Sequence, residues 1–321
     1  MKILITGGGG FLGSHLGDYF LKEGHEVFAL DLAKDLKVAH NLNNKNFHYI
    51  KDSIFNEDLL DALILKCDLV YHMAAVVGVE HYVENPYNVL NVNINGTQNV
   101  LRIAYKYGKK VVFTSTSEIY GRNPKVPFKE DDDRVLGSTR IDRWCYSTSK
   151  AAGEHFCFAY HSMGLPVTIV RYFNVYGPRL DRIDVGRIIT IFMGQILRKK
   201  NLTVIGDGMQ TRCFTYVDDA IKATVEAGLN EKANGEIFNI GTDRETTIKE
   251  LAELMIKLSG VDLDIEYVSQ ESVYGNSYED IRRRVPDITK MKTILNVTPK
   301  VSLEEGLKKT IDWFFANENN F

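Results

Sequence analysis

Tyr146 and Lys150 stand four positions apart in the run Tyr146-Ser147-Thr148-Ser149-Lys150. On a helix such residues share a face, which would set an ammonium beside a phenol. A cation there favours the phenolate and lowers the tyrosine pKa. A phenolate can take a proton from a sugar or alcohol hydroxyl. Thr116 could hydrogen-bond the same oxygen. It lies in Thr114-Ser115-Thr116-Ser117-Glu118-Ile119-Tyr120-Gly121, directly after Val111-Val112-Phe113, which reads as a buried parallel strand. Tyr-x-x-x-Lys alone is a common solvated helix face. It gains chemical meaning only beside a nicotinamide site.

The N-terminus has the features of such a site. Ile3-Leu4-Ile5 reads as a short buried strand, and Gly7-Gly8-Gly9-Gly10-Phe11-Leu12-Gly13 joins it to a helical stretch ending near Glu23. Glycines in that place allow a tight turn and close approach of a pyrophosphate, which then rests on a positive helix N-terminus. Gly7, Gly10, Phe11, Leu12 and Gly13 are therefore candidate cofactor contacts. Asp31 ends a second strand, where its carboxylate would accept from adenosine ribose hydroxyls and repel a 2′-phosphate, favouring NAD over NADP. Asp52, with Ser53 beside it, follows a third strand at Phe47–Ile50 and either caps a turn or meets the adenine. Small residues Ala74 and Ala75, after the strand Leu69–His72, would let a cofactor lie close. His72 reads as a structural strand-end histidine. Pro86 to Tyr107 has helical periodicity, with Asn93 and Thr97 as packing residues or as groups reaching the site.

Strands and helices alternate through Val167–Arg171, which predicts an α/β fold with a doubly wound parallel Rossmann sheet. Beyond Asn174-Val175-Tyr176-Gly177-Pro178 the rhythm changes. Helices at Ile188–Lys199, up to about Leu229, and Thr247–Ser259, with a strand at Glu236–Ile240, suggest a smaller α/β C-terminal substrate lobe. Residues 1–173 are thus expected to form the NAD-binding domain and 174–321 mainly the substrate lobe, some segments returning to the first.

A chain of 321 residues can bury a sizeable core, and 44% hydrophobic with 25% charged residues is ordinary for a globular protein. A net charge of −3 gives no general nucleic-acid or membrane signal. No apolar run reaches the ~18 residues of a membrane helix, and no signal-peptide pattern precedes the first strand. Cys67, Cys145, Cys157 and Cys213 are scattered without a Cys-x-x-Cys pair. No metal site is indicated, and reduced thiols in the cytoplasm are expected.

Together these residues resemble the extended short-chain dehydrogenase/reductase family of nucleotide-sugar epimerases, dehydratases and decarboxylases. The resemblance covers nearly the whole chain. It rests on Gly7-x-x-Gly10-x-x-Gly13, Asn93-Ile94-Asn95-Gly96-Thr97, Thr116 with Tyr146-x-x-x-Lys150, Arg171 through Pro178, and Gly206-Asp207-Gly208 through Arg212 to Asp218. It implies NAD in the first lobe and a nucleoside diphosphate sugar, expected as a UDP-sugar, in the second. It also implies that Asn174 and Arg212 contact the diphosphate end, with Arg187 and Tyr278 as further substrate contacts. Guanidinium meets phosphate bidentately. The resemblance also implies a homodimer, in which helices near Asn88–Tyr107 and Ala151–Met163 would pack on their twofold mates.

In this family 4,6-dehydratases usually carry Asp-Glu after the threonine, and 4-epimerases carry small or hydroxyl residues. Ser117-Glu118 is similar to the UDP-glucuronic acid decarboxylases, as are Arg143-Trp144-Cys145-Tyr146 and the tail Tyr278 to Ile288. Alignment on Pro286 places the family's catalytic arginine at Arg284, although Arg282, Arg283 and Arg284 run together. The expected reaction begins with Tyr146 taking the C4 hydroxyl proton while hydride moves to NAD. The C4 ketone then lies β to the C6 carboxylate, and CO2 can leave. Arg284 would hold the carboxylate or protonate C5, with Ser117 nearby. Glu118 would repel a substrate carboxylate unless an arginine offsets it. It would suit instead the C5 base of a UDP-hexose dehydratase acting on UDP-glucose or UDP-N-acetylglucosamine. A UDP-sugar 4-epimerase comes third. Intact Tyr146, Lys150 and Thr116 argue against a non-catalytic NAD-sensing scaffold.

Overall fold

The computed structural model describes residues 1–33, 37–181, 183, 186–269 and 281–318. The first half alternates strand and helix: β1 (Lys2–Thr6), α1 (Phe11–Lys22), β2 (Glu26–Asp31), β3 (Phe47–Lys51), α2 (Glu57–Lys66) and β4 (Leu69–His72). Short helices α3 (Val79–Glu84) and α4 (Pro86–Leu90) follow. After them come α5 (Thr97–Lys106), β5 (Lys110–Thr116), α6 (Arg143–Ser162) and β6 (Val167–Tyr172). The second half holds the two-residue strands β7 (Val175–Tyr176), β9 (Thr211–Arg212) and β10 (Thr215–Tyr216), with α7 (Ile188–Leu197) and β8 (Leu202–Ile205). Then come α8 (Val217–Leu229), β11 (Ile237–Ile240), β12 (Thr246–Thr247), α9 (Ile248–Ser259), β13 (Ile265–Val268), β14 (Arg283–Arg284) and a closing helix Leu303–Ala316.

Seven strands form one sheet in the order β11-β6-β5-β4-β1-β2-β3. Every pairing in it is parallel. Its strands are near-continuous apolar runs because helices cover both faces. Within β1, Ile3 and Ile5 belong to one core cluster and Leu4 to the other; within β5, Val112 faces the first cluster, Val111 and Phe113 the second. That period of two lets each strand seal two cores. β11 lies far beyond residue 174 in the chain yet pairs with β6 from Ile237↔Ile169 to Ile240↔Tyr172. The smaller sheets are β7–β10, β8–β13 and β12–β9–β14.

The single helix expected from Pro86 to Tyr107 is interrupted. Between α4 and α5 the backbone widens to a π turn over Asn91–Gly96. A Cβ on Gly96 would stand 2.3 Å from Ile54 Cδ1, so the turn packs closely on the loop after the third strand. Such bulges recur where a side chain must be re-aimed, and here the side chain is Asn93. It accepts from Val76 N at 2.8 Å and donates to Val76 O and Ser149 Oγ, both at 3.1 Å, tying the loop after β4 to α6.

Candidate active site

The carboxyl ends of β1 and β4 flank the point where the sheet order reverses, the place where doubly wound sheets bind ligands. A cleft of about 1700 Å³ opens there, bounded by the sheet on one side and the smaller sheets on the other. At one end Gly7 takes φ +75°, and a Cβ on it would lie 2.6 Å from Ala74 N. A Cβ on Gly13 would lie 2.2 Å from Gly7 O, whereas one on Gly10 would meet only Gly7 O at 3.3 Å. Two glycines therefore close the turn, and the third leaves its cleft side open. Gly10 precedes α1 and brings no side-chain cap, and the first turn holds no acid, so its N–H donors remain for an anion. Asp31 accepts from Gly9 N at 2.8 Å and Ala33 N at 2.9 Å, which locks the acid at the end of β2. Asp52 caps its own turn, accepting from Ser53 N at 2.6 Å and Asn56 Nδ2 at 2.9 Å, and still lines the cleft with Ser53, Ala74 and Ala75. These features fit the pyrophosphate and adenosine of a dinucleotide. His72 is structural: it bridges Thr6 at 2.8 Å and Thr97 at 2.9 Å, and burial pushes its pKa down to about 3.

Thr116 ends β5, and its hydroxyl accepts from Glu118 N at 3.2 Å, capping a 3-10 turn over Ser117–Tyr120. That turn delivers Ser117 and Glu118 into the cleft. Ser147 donates to Glu118 O at 2.8 Å and pins the turn to α6. On α6 the Tyr146 hydroxyl is hydrogen-bonded to Thr116, and its ring stacks on Tyr82 with centroids 4.9 Å apart at 10°. One turn on, Lys150 Nζ donates to Thr114 O at 2.7 Å.

The expected acidification of Tyr146 by Lys150 is not what the geometry gives. Burial, followed by the Glu118 charge, raises the Tyr146 pKa, while Arg187 and the Thr116 hydrogen bond oppose the rise. Lys150 is turned to a backbone carbonyl, and burial lowers its own pKa to about 8.

Three arginines surround Glu118. Arg284 Nη1 donates to its Oε1 at 3.0 Å, Arg143 Nη2 lies 3.8 Å from the same oxygen, and Arg212 adds its charge. Burial alone would raise the glutamate's pKa, but these cations outweigh it and hold the carboxyl below its usual range. β14 settles which member of the arginine run faces inward. It pairs with β9 in the register Arg284↔Arg212, and alternation sends Arg283 outward to Glu245 while Arg284 is 6% exposed. Arg284 Nη1 also lies 3.5 Å from Ser117 Oγ, and its Nε is buried with no hydrogen-bond partner among the described residues. Arg282 pairs with Asp207 at 3.0 Å on the exposed side.

The remaining expected contacts also line the cleft. Asn174, at φ +41°, donates to Cys213 O at 3.4 Å. Arg212 Nη1 donates to Thr211 O and Ile281 O, both at 2.8 Å. Arg187 donates to Val175 O at 3.1 Å and lies over the Phe11 ring, with Leu12 beyond it on the same wall. Tyr278 lies outside the described residues. Sequence reasoning gave no role to Arg143 or Tyr82. Arg143 had a signal, standing one helical turn before Tyr146; Tyr82 had none, since its stacking arises only through the fold.

A family model described as the NAD dependent epimerase/dehydratase family matches residues 3–241. The UDP-N-acetyl-alpha-D-glucosaminuronate decarboxylase of Bacillus cytotoxicus is 44% identical over 320 residues, covering 99% of this chain and 99% of that protein. UDP-glucuronic acid decarboxylase 1 of Xenopus tropicalis is 37% identical, covering 98% of this chain and 72% of that protein. The crystal structure of UDP-glucuronic acid 4-epimerase from Bacillus cereus with UDP-glucuronic acid and NAD superposes with a TM-score of 0.87. It is 33% identical, over 98% of this chain and 99% of that one.

Proposed function

The chain belongs to the NAD-dependent epimerase/dehydratase family, and on that premise we propose that it decarboxylates a UDP-hexuronate. The carrying observation is Arg284: buried, directed at Ser117 and Glu118 across the cleft from Tyr146, with an unsatisfied Nε. A buried guanidinium with donor capacity to spare suits a carboxylate, which it meets through two parallel hydrogen bonds. Relatives named for UDP-uronate decarboxylation support the same reading.

In this mechanism Tyr146 reacts as its phenolate and accepts the C4 hydroxyl proton, with Thr116 hydrogen-bonded to its oxygen. NAD, when bound, supplies the hydride acceptor. The resulting C4 ketone lies β to the C6 carboxylate, so the C5–C6 bond breaks with its electron pair held in an enolate as CO2 leaves. Arg284 holds the carboxylate before that step or delivers a proton to C5 after it, and Ser117 hydrogen-bonds beside it. Arg212, Arg187 and Asn174 take the diphosphate end. Glu118 acts as a counter-ion. Its depressed pKa makes it a weak base, which disfavours the dehydratase reading.

Incubation with NAD and either UDP-glucuronate or UDP-N-acetylglucosaminuronate tests this. Release of CO2 is expected. A product of unchanged mass with inverted C4 would instead place the protein with the uronate 4-epimerase among its structural neighbours.

The chain is also proposed to be a cytoplasmic homodimer. Tyr87, Tyr105 and Phe158 are exposed on α4, α5 and α6, and Met163 just after α6, apolar groups suited to a twofold mate. Free Cys67, Cys145, Cys157 and Cys213 suit a reducing compartment. A monomer by light scattering at micromolar concentration would refute the dimer. Cell fractionation tests the location.

A further inference from the structure

Arg284 sits in a two-residue strand at the edge of a small sheet, so its aim depends on what holds the chain next to it. Phe128 N donates to Val285 O at 2.8 Å, and Asp287 N donates to Phe128 O at 2.7 Å. Residues 285–287 are thereby docked along one backbone position. The side chain that fixes this dock comes from the far edge of the large sheet. Asn239, fully buried in β11, donates its amide N–H groups to Phe128 O at 2.9 Å and Asp287 O at 3.2 Å.

An amide does this only in one orientation. Tyr120 sets it, donating its hydroxyl to Asn239 Oδ1 at 2.7 Å while accepting from Arg171 Nη1 at 2.9 Å. Arg171 in turn grips Glu154 with both forks, at 2.9 and 2.6 Å. Glu154 is one turn beyond Lys150 on α6 and accepts from Ser115, the neighbour of Thr116, at 2.5 Å. One buried chain of bonds therefore runs from the tyrosine–lysine helix to the strand carrying Arg284.

We propose that Asn239 is a positioning residue for Arg284. Acting through Phe128 and the Val285–Asp287 backbone, it holds the guanidinium on the Ser117–Glu118 turn, and Tyr120, Arg171 and Glu154 hold its amide in the required orientation. The role assigned to Arg284 rests on the decarboxylase reading above. A purely stabilising network would affect every step alike. A positioning network affects the step that uses Arg284.

The test compares wild type, Asn239→Ser and Tyr120→Phe in single turnovers with NAD and each UDP-uronate. NADH formation reports C4 oxidation, and CO2 release reports the later step. Oxidation is expected within about threefold of wild type, with CO2 release down roughly tenfold to a hundredfold, as for a displacement of ~1 Å. Equal losses in both steps, or a loss in neither, would overturn the proposal. Should Asn239→Ser fail to fold, Tyr120→Phe carries the test, since it deletes a single oxygen. Crystal structures of the variants decide the matter independently of turnover. A shifted Val285–Asp287 backbone and a broken Arg284–Glu118 contact support it, and an unmoved segment overturns it. Wild type that releases no CO2 from either substrate refutes the functional reading alone, leaving those structures to judge the positioning.

Discussion

Arg284→Gln removes a positive charge 3.0 Å from Glu118 while keeping a side chain of moderate length. Two unit charges about 4 Å apart attract by about 4 kcal/mol at an effective dielectric near 20. Removing one partner of a fully buried pair costs about 3–5 kcal/mol. Glu118 keeps Arg143 at 3.8 Å and the field of Arg212, and its side chain is 19% exposed. The loss in folding stability should therefore be nearer 1–3 kcal/mol, a fall in Tm of a few degrees for a chain of this size. Catalysis should suffer more. If Arg284 holds the carboxylate or protonates C5, its loss should slow CO2 release by about 10² to 10⁴, or roughly 3–5 kcal/mol of barrier. C4 oxidation, which Tyr146 and Thr116 carry, should continue. The assay measures CO2 and NADH in parallel on the same folded protein, with Tm as the control. Arg284→Lys should fall between, since an ammonium restores the charge without the planar fork. A folded Arg284→Gln protein that releases CO2 at a rate within about threefold of wild type would refute the reasoning.

Glu118→Gln should move the rising limb of the kcat/KM pH profile to lower pH, by an amount on the order of one unit. The Glu118 charge raises the Tyr146 pKa, and removing it eases formation of the phenolate. An unmoved limb would show that the two do not interact, and total loss of turnover would return Glu118 to the role of base. Gly13→Ala would place a Cβ 2.2 Å from Gly7 O, so calorimetric NAD binding should fall at least tenfold; unchanged affinity would show that the turn has room to yield. His72 links stability to pH. Its pKa of about 3 lies below the ordinary histidine value of 6.5, so its contribution is complete above about 6.5 and is lost as pH falls toward 3. Between about pH 7 and pH 5 wild type should lose about 2 kcal/mol more unfolding free energy than His72→Gln. Equal losses in urea titrations would contradict this.

What the sequence made legible were features in which local chemistry and global fold agree. β1, β4 and β5 read as strands because burial on both faces makes them apolar throughout, and Gly7 and Gly13 were recognisable because close backbone approach admits nothing larger. The π turn at Asn91–Gly96 was hidden, since one widened turn barely disturbs a helical period. The Arg282–Arg284 run could not be resolved from spacing. Its register is set by pairing with β9, more than seventy residues away in the chain, after which alternation sends Arg283 outward and Arg284 inward. The acidity of Tyr146 was misjudged for a similar reason: i, i+4 geometry brings Lys150 to the same helix face, but the Thr114 carbonyl, from another element, captures its ammonium.

Charge balance separates the candidate reactions where residue identity does not. Ser117-Glu118 alone fits decarboxylation through arginine neutralisation and fits dehydration through the glutamate as a base. The two demands on Glu118 are opposed. A base for C5 needs a carboxylate whose affinity for a proton is raised, through burial without cations. The fold supplies the reverse, with Arg284, Arg143 and Arg212 lowering that affinity. A hexuronate brings a C6 carboxylate that can meet the Arg284 guanidinium beside Glu118, whereas a neutral hexose brings no such anion. Loss of that carboxylate as CO2 then transfers its charge to an enolate lying among the same cations, which stabilises the charge where it develops.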